Sequence, residues 1–233
     1  MEITTASVES GGPPPRDLEA TIKVLLAEYG VLAAAISGTW TLGTSRNQLV
    51  ITALSGMSVA LALIANVTGF TGPFFAFALI LLPIVTGLGV VTYIRLLEST
   101  AETIAYAHGM NRIRHFFVEY APDAAPYLVL STHDDLAGFR AAVGFIGGPN
   151  PPREVLLGLT HLPGLVVSIV AVSAGLIALV GAGALGYGPS QAAVAGLIVL
   201  SLVGLTMARA YFQTVHTTFR SLEVRFPTTS TRK

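Results

Sequence analysis

The chain contains no cysteine, and only 11% of its residues are Asp, Glu, Lys or Arg, against roughly 25% in an ordinary soluble domain. Without cysteine there are no disulfides, thiolate metal sites, iron–sulfur clusters or cysteine nucleophiles. Its 13 basic and 13 acidic residues cancel, so no net positive field draws in a nucleic-acid backbone. What remains is apolar: 52% of the 233 residues are hydrophobic and the mean hydropathy is +0.69, too high for a soluble globule.

Charge is also absent in a pattern. Residues 47–94 contain no Asp, Glu, Lys or Arg, and neither do residues 155–208. A helix rises 1.5 Å per residue and about 20 residues cross the hydrocarbon core, so each gap fits two crossings and a turn. The first crossing pair turns at Phe70-Thr71-Gly72-Pro73 and the second at Gly186-Tyr187-Gly188-Pro189-Ser190. Barrel strands would show short alternating segments instead. The expected fold is therefore all-α: a polytopic membrane protein whose four transmembrane helices form two hairpins with long cytoplasmic helical extensions. The expected organisation is a disordered cytoplasmic tail (1–16), a cytoplasmic amphipathic helix (17–46), a first hairpin (47–94), a cytoplasmic helical segment (95–161), a second hairpin (162–208) and a cytoplasmic helix and tail (209–233).

Every Lys and Arg lies outside the hairpins, and both hairpin tips carry none. The positive-inside bias then puts both termini and the middle segment in the cytoplasm. The first 16 residues have no basic residue ahead of Pro13-Pro14-Pro15 and no apolar core, so they read as a tail and not as a cleavable signal.

Two apolar seams flank the first hairpin. Leu18, Ile22, Leu25, Tyr29, Leu32 and Ile36 recur at heptad spacing, although Gly30, Gly38 and Gly43 weaken that helix toward the membrane. Tyr106, Met110, Ile113, Phe117 and Tyr120 repeat the spacing on a helix expected from Arg95 to about Tyr120 and ended by Pro122. These seams are expected to pack on other helices of the chain, on a neighbouring subunit or on a cytoplasmic partner. Two residues out of phase, His108, Arg112, His115 and Glu119 form a polar stripe for water or a partner. Further on, Ser131-Thr132-His133-Asp134-Asp135 reads as a cap opening a short helix to about Phe145. The same His and Asp residues are an alternative ligand set for a divalent cation or a pH sensor. The run 147–152 then breaks the chain, and Pro152 starts the helix leading into the third span.

The spans hold no ionisable side chain, which argues against a proton-driven pump or a carrier of charged solutes. On the first span Gln48, Thr52, Ser55, Ser58, Ala62 and Asn66 share an arc of about 120°, interrupted by Ile51 and Val59. This face lines a pore built by symmetric copies, or it packs against another helix through small and hydroxyl residues. The pairs Gly56 with Ala60, Ala171 with Gly175 and Gly204 with Ala208 read as packing. Pro83 falls mid-span, where it kinks the helix and is a candidate gate.

No cofactor or metal is expected. His108 and His115 are too far apart on one helix to share an ion, and no Gly-x-Ser-x-Gly motif surrounds a cytoplasmic serine. Gly181-Ala182-Gly183-Ala184-Leu185-Gly186 fits the spacing of a dinucleotide loop but ends a membrane span with no preceding strand. An enzyme is not expected.

The stretch from Ala27-Glu28-Tyr29-Gly30 through Arg46-Asn47-Gln48, a heptad helix that enters a tight hairpin and returns as a long cytoplasmic helix, resembles the plan of small bacterial SLATT-type membrane proteins. The resemblance covers the first 120 residues and is one of architecture. SLATT proteins have one hairpin where this chain has two, and no functional residue transfers. It implies a pore-forming role, and the Ala- and Gly-rich, Lys-poor composition points to a bacterial plasma membrane. The leading expectation is an oligomeric membrane channel or pore with a cytoplasmic helical regulatory region, contacting lipid and further copies of itself. The alternatives are a non-conducting scaffold or accessory subunit docking a cytoplasmic protein, and a transporter of small neutral solutes.

Overall fold

A helix closes its backbone hydrogen bonds within itself, which is what a charge-free segment needs where no water is at hand. The computed structural model describes residues 18–142 and 161–228 and is helical throughout its regular elements. The elements are α1 (Leu18–Thr68), α2 (Gly72–Tyr120), a 3-10 helix (Pro122–Tyr127), α3 (Leu136–Ala142), α4 (Leu162–Ala184) and α5 (Pro189–Ser221). Four of them, α1, α2, α4 and α5, are long and apolar enough to cross a membrane, so the chain is a multi-pass membrane protein. The expected tail, the break at 147–152, the helix start at Pro152 and the helix end near Phe145 lie outside the described residues.

Neither α1 nor α2 stops where the charges begin. α1 runs 51 residues, about 75 Å at the helical rise, and passes Arg46, Gly30, Gly38 and Gly43 without a break. Each glycine costs a helix about 1 kcal/mol relative to alanine, which continued packing against α2 offsets. α2 runs 49 residues through Pro83. It stops at Tyr120, where Ala121 N–H still donates to Phe117 O at 2.8 Å before Pro122.

The reversals fall slightly earlier than the Gly-Pro pairs suggest. Gly69 (φ +63°) and Gly186 (φ +88°) take left-handed conformations, which glycine adopts without a steric cost. Gly72-Pro73 and Pro189-Ser190 instead open α2 and α5. Proline is well placed there, because first-turn N–H groups have no helical partner. The expected turns are corrected accordingly.

α2 is the element on which the others assemble, packing against α1, α3, α4 and α5. It runs antiparallel to α1: Thr39 meets Thr103 at 3.2 Å, Leu32 lies against Gly109, and Arg114 reaches Tyr29. In the charge-free half Met57, Ala78, Leu82, Val85 and Val180 form one buried cluster. Tyr93, Leu96, Val166, Val170 and Met207 form a second, in which Tyr93 O–H donates to Met207 O.

The α4 and α5 backbones approach at glycines. A Cβ on Gly175 would stand 2.9 Å from Gly196 O, and one on Gly196 would stand 2.9 Å from Gly175 O. At Gly204 the nearest atom, Ala171 Cβ, would be an ordinary 3.6 Å away. Gly56 differs: nothing lies within 4 Å of a Cβ there, so packing within the chain is not its role. Gly196→Leu is expected to lower stability in detergent by about 1–3 kcal/mol through overpacking, and Gly204→Ala to stay within about 0.5 kcal/mol of wild type. Thermal unfolding followed by circular dichroism checks both, and an undiminished Gly196→Leu would contradict the close approach.

Candidate functional site

The polar stripe on α2 has a cover. His108 and Asn111 are buried and Arg112 is partly exposed under residues 131–135 and 222–228, while Arg114 is buried on the side of α1, against Tyr29. The centre is Asp134, 1% exposed. Its Oδ2 accepts from Arg112 Nε at 2.8 Å and Arg225 N–H at 3.0 Å. Its Oδ1 accepts from Phe226 N–H at 2.8 Å, while Asp134 N–H donates to Phe226 O at 3.1 Å. A buried carboxylate stays charged only when donors and cations replace its water, and this one is so supplied.

His108 completes the clasp. Nδ1 lies 2.7 Å from Asp134 O, and Nε2 lies 3.1 Å from Glu223 O. Both partners are carbonyl oxygens, which only accept, so the ring nitrogens meet them as N–H donors. Nε2 also sits 3.6 Å from Asp134 Oδ2. Arg112 Nη2 donates to the same Glu223 O, and the His115 ring stacks on Phe226 at 3.8 Å. His115 Nδ1 is buried with no hydrogen-bond partner among the described residues. A second branch leads to α1: Asn111 Nδ2 donates to His133 O at 2.8 Å, Arg114 Nη1 to Asn111 Oδ1 at 2.6 Å, and Arg114 Nη2 to Tyr29 Oη at 2.9 Å.

The His133-Asp134-Asp135 run therefore divides its labour. Asp135 caps α3, Oδ1 accepting from Gly138 N–H at 2.8 Å. It also holds Thr228, whose N–H donates to Oδ2 at 2.8 Å and hydroxyl to Oδ1 at 2.9 Å. Glycine is required at 138, where a Cβ would collide with His133 O. The carboxylate oxygens are thus occupied by N–H and O–H donors, and among the described residues no cluster of His, Asp and Glu is arranged to hold a metal.

The two seams are largely covered within the chain. Met110 and Ile113 are buried, Tyr106 and Phe117 half-buried, and on α1 Ile22, Leu25, Tyr29, Leu32 and Ile36 are half-buried, with Leu18 exposed at the end. From the α1 seam, Leu32 lies against Gly109 and Tyr29 against Arg114, both on α2. Of the stripe expected to face water or a partner, Glu119 is exposed, whereas His108 is covered by the chain's own later segments.

The first-span arc behaves differently. Gln48, Thr52, Ser55, Ser58, Ala62 and Asn66 are all exposed on the outer surface of α1, while Asn47, Val50 and Met57 turn inward. Ser55 and Ser58 donate to the carbonyls of Ile51 and Leu54 at 2.9 and 2.8 Å. Packing within the chain does not account for this face. Pro83 also lies on an exposed face, inside an α2 that continues past it.

No family model, curated protein or solved structure matches the chain.

Burial alone would raise the Asp134 carboxyl, but the Arg112 hydrogen bond, the Arg225 and Phe226 N–H groups and the His108 charge outweigh it and hold the group below the ordinary carboxylate value. Asp135 is likewise pulled upward by burial and held below its ordinary value by Gly138, Thr228 and His133. A depressed folded-state value stabilises the clasp above the ordinary carboxylate range, and that contribution is lost as pH falls through it. Residues 222–228 are expected to resist hydrogen exchange at neutral pH and lose protection on acidification. Asp134→Asn should lose it at neutral pH, weakening the clasp by about 3 kcal/mol. Unchanged exchange in that variant would contradict the assignment.

Proposed function

We propose that this chain is the subunit of a homo-oligomeric channel or pore in a bacterial plasma membrane. In this reading α1–α2 and α4–α5 are the two transmembrane hairpins, and both termini and the charged half lie in the cytoplasm, following the distribution of Lys and Arg. The clasped segments 131–135 and 222–228 are its regulatory region. The plan is that suggested by the SLATT-type resemblance.

The outward polar face of α1 carries the proposal. A lone subunit in lipid gains nothing by presenting Gln48, Thr52, Ser55, Ser58 and Asn66 outward, because lipid offers hydroxyls and amides no partner. The serine protons are satisfied on their own helix, but the Gln48 and Asn66 amides each carry donors and acceptors that call for water or a neighbouring polar group. They stand near opposite ends of the span, as the two mouths of a water path would. The hydroxyl and small residues between them let neighbouring copies approach closely. Docking a cytoplasmic protein through the seams has less support, since most of their residues are buried or half-buried within the chain.

The absence of cysteine makes the test clean. Ser55→Cys and Ser58→Cys are expected to form disulfide-linked dimers in membranes, whereas Ile80→Cys, on an exposed face of α2, is not. Wild type should pass current in planar bilayers, and a charged thiol reagent should block the Ser58→Cys channel several-fold more than Ile80→Cys. A strictly monomeric particle, or bilayers without current, would sink the reading.

A further inference from the structure

Where α1 and the α4–α5 pair diverge around α2, a cavity of about 130 Å³ opens among α1, α2, α3, the start of α4, and α5. Its level in the bundle is defined by charge. Trp40 precedes Arg46 by less than two turns, Ser99 follows Arg95 by about one, and Tyr211 lies two residues after Arg209. The cavity thus sits at the boundary between the charged and charge-free halves, the depth of a lipid headgroup and its ester linkages.

Among the described residues its lining contains no Asp, Glu, Lys or Arg and a single imidazole, His161, and it is rich in hydroxyls: Thr39, Ser99, Thr100, Thr103 and Tyr211 line it, beside the Trp40 indole. Three of these hydroxyls already donate within their helices, Thr39 to Ile36 O, Thr100 to Leu96 O and Thr103 to Ser99 O, each at 2.8 Å. They are left with lone pairs to offer. The Ser99 and Tyr211 hydroxyls and the Trp40 indole N–H add donors to the lining. The wall therefore presents donors and acceptors side by side, with no carboxylate, ammonium or guanidinium among its described residues.

We propose that this cavity binds the glycerol-ester head of an uncharged lipid of the diacylglycerol type. A glyceride head supplies a hydroxyl that donates and ester carbonyls that accept, matching both halves of the lining. A phosphate would find no Lys or Arg among the described lining residues and only the His161 imidazole beside it, at the cost of a poorly compensated charge away from water. At the roughly 10–15 Å³ of such volume that one water needs, the space admits several waters and so a glycerol-sized head, with the acyl chains outside it. The chains leave past Trp40, which is 50% exposed. A bound head would bridge α1 and α5, which otherwise meet through α2. The site does not depend on whether copies of the chain conduct.

Trp40 is the sole tryptophan and reports on the site directly. The full chain in phosphatidylcholine nanodiscs is titrated with diacylglycerol carrying brominated acyl chains, which quench tryptophan on contact. Saturable quenching is expected, with only a non-saturating response to phosphatidylglycerol bearing the same chains. Ser99→Leu, which fills the cavity, should weaken the saturable response at least tenfold. Thr100→Val, which removes a hydroxyl with little change of shape, should weaken it several-fold even if the bulkier variant fails to fold. Equal saturation by the anionic lipid, or saturation unchanged in Thr100→Val, overturns the proposal. So does flat emission at every glyceride concentration, as when residues of the chain itself occupy the space.

Discussion

A carboxylate removed from water has to be given back its hydrogen bonds, and Asp134 collects them from two distant places in the sequence. Arg112 and His108 come from α2, and the Arg225 and Phe226 N–H groups come from the segment beyond α5. None of these groups is well placed without the others. Arg112 and His108 share the Glu223 carbonyl, so the residues that neutralise Asp134 also fix the backbone whose amides bind it. The net worth of a buried charged cluster is small, because desolvation opposes attraction, but removing one member leaves the remaining charges uncompensated. Such an arrangement specifies one conformation more than it adds stability.

The charge-free half is governed by a different economy. Apolar side chains gain little by leaving lipid for one another, so contact there depends on fit, and small residues supply it. Gly175 and Gly196 bring α4 and α5 to backbone contact. Only a few polar groups bond between helices, such as Tyr93 to the Met207 carbonyl. α2 holds both regimes in one continuous helix, closely packed along Leu82, Val85 and Leu96 and hydrogen-bonded along His108, Asn111 and Arg114.

The spans were legible because charge placement is a strong constraint: each ionised side chain inside a bilayer costs several kcal/mol, so residues 47–94 and 155–208 announce themselves. The seams were legible as periodicity, though periodicity does not name the surface that covers it. The stripe with His108 and Arg112 read as facing water or a partner because its cover, Asp134 and Glu223, is 26 and 115 residues from His108. No local pattern encodes that distance. Two adjacent acids after Ser131 signalled a cap, and Asp135 forms one. The sequence held no sign that its neighbour turns the other way. The first-span arc was visible as a pattern, and only the structure separates inward Asn47 and Val50 from outward Gln48 and Thr52.

These two halves are joined unevenly. α1 is held to the rest of the molecule chiefly through α2, and the α4–α5 pair is held to α2 from another side with little contact to α1. In the charge-free half that link is broad, built from Val166, Val170 and Met207 against Tyr93 and Leu96. In the charged half α5 ends at Ser221, and its connection to the far end of α2 is the clasped segment itself. Opening the clasp would release that segment from α2 and leave the apolar clusters untouched. The same step would expose His108 and Arg112 to water. Helix α1 would feel the change too, because Asn111 links the His133 carbonyl to Arg114 and Tyr29. The part of the molecule held by charge is thus the part that can change with conditions outside the membrane, while packing keeps the spans assembled.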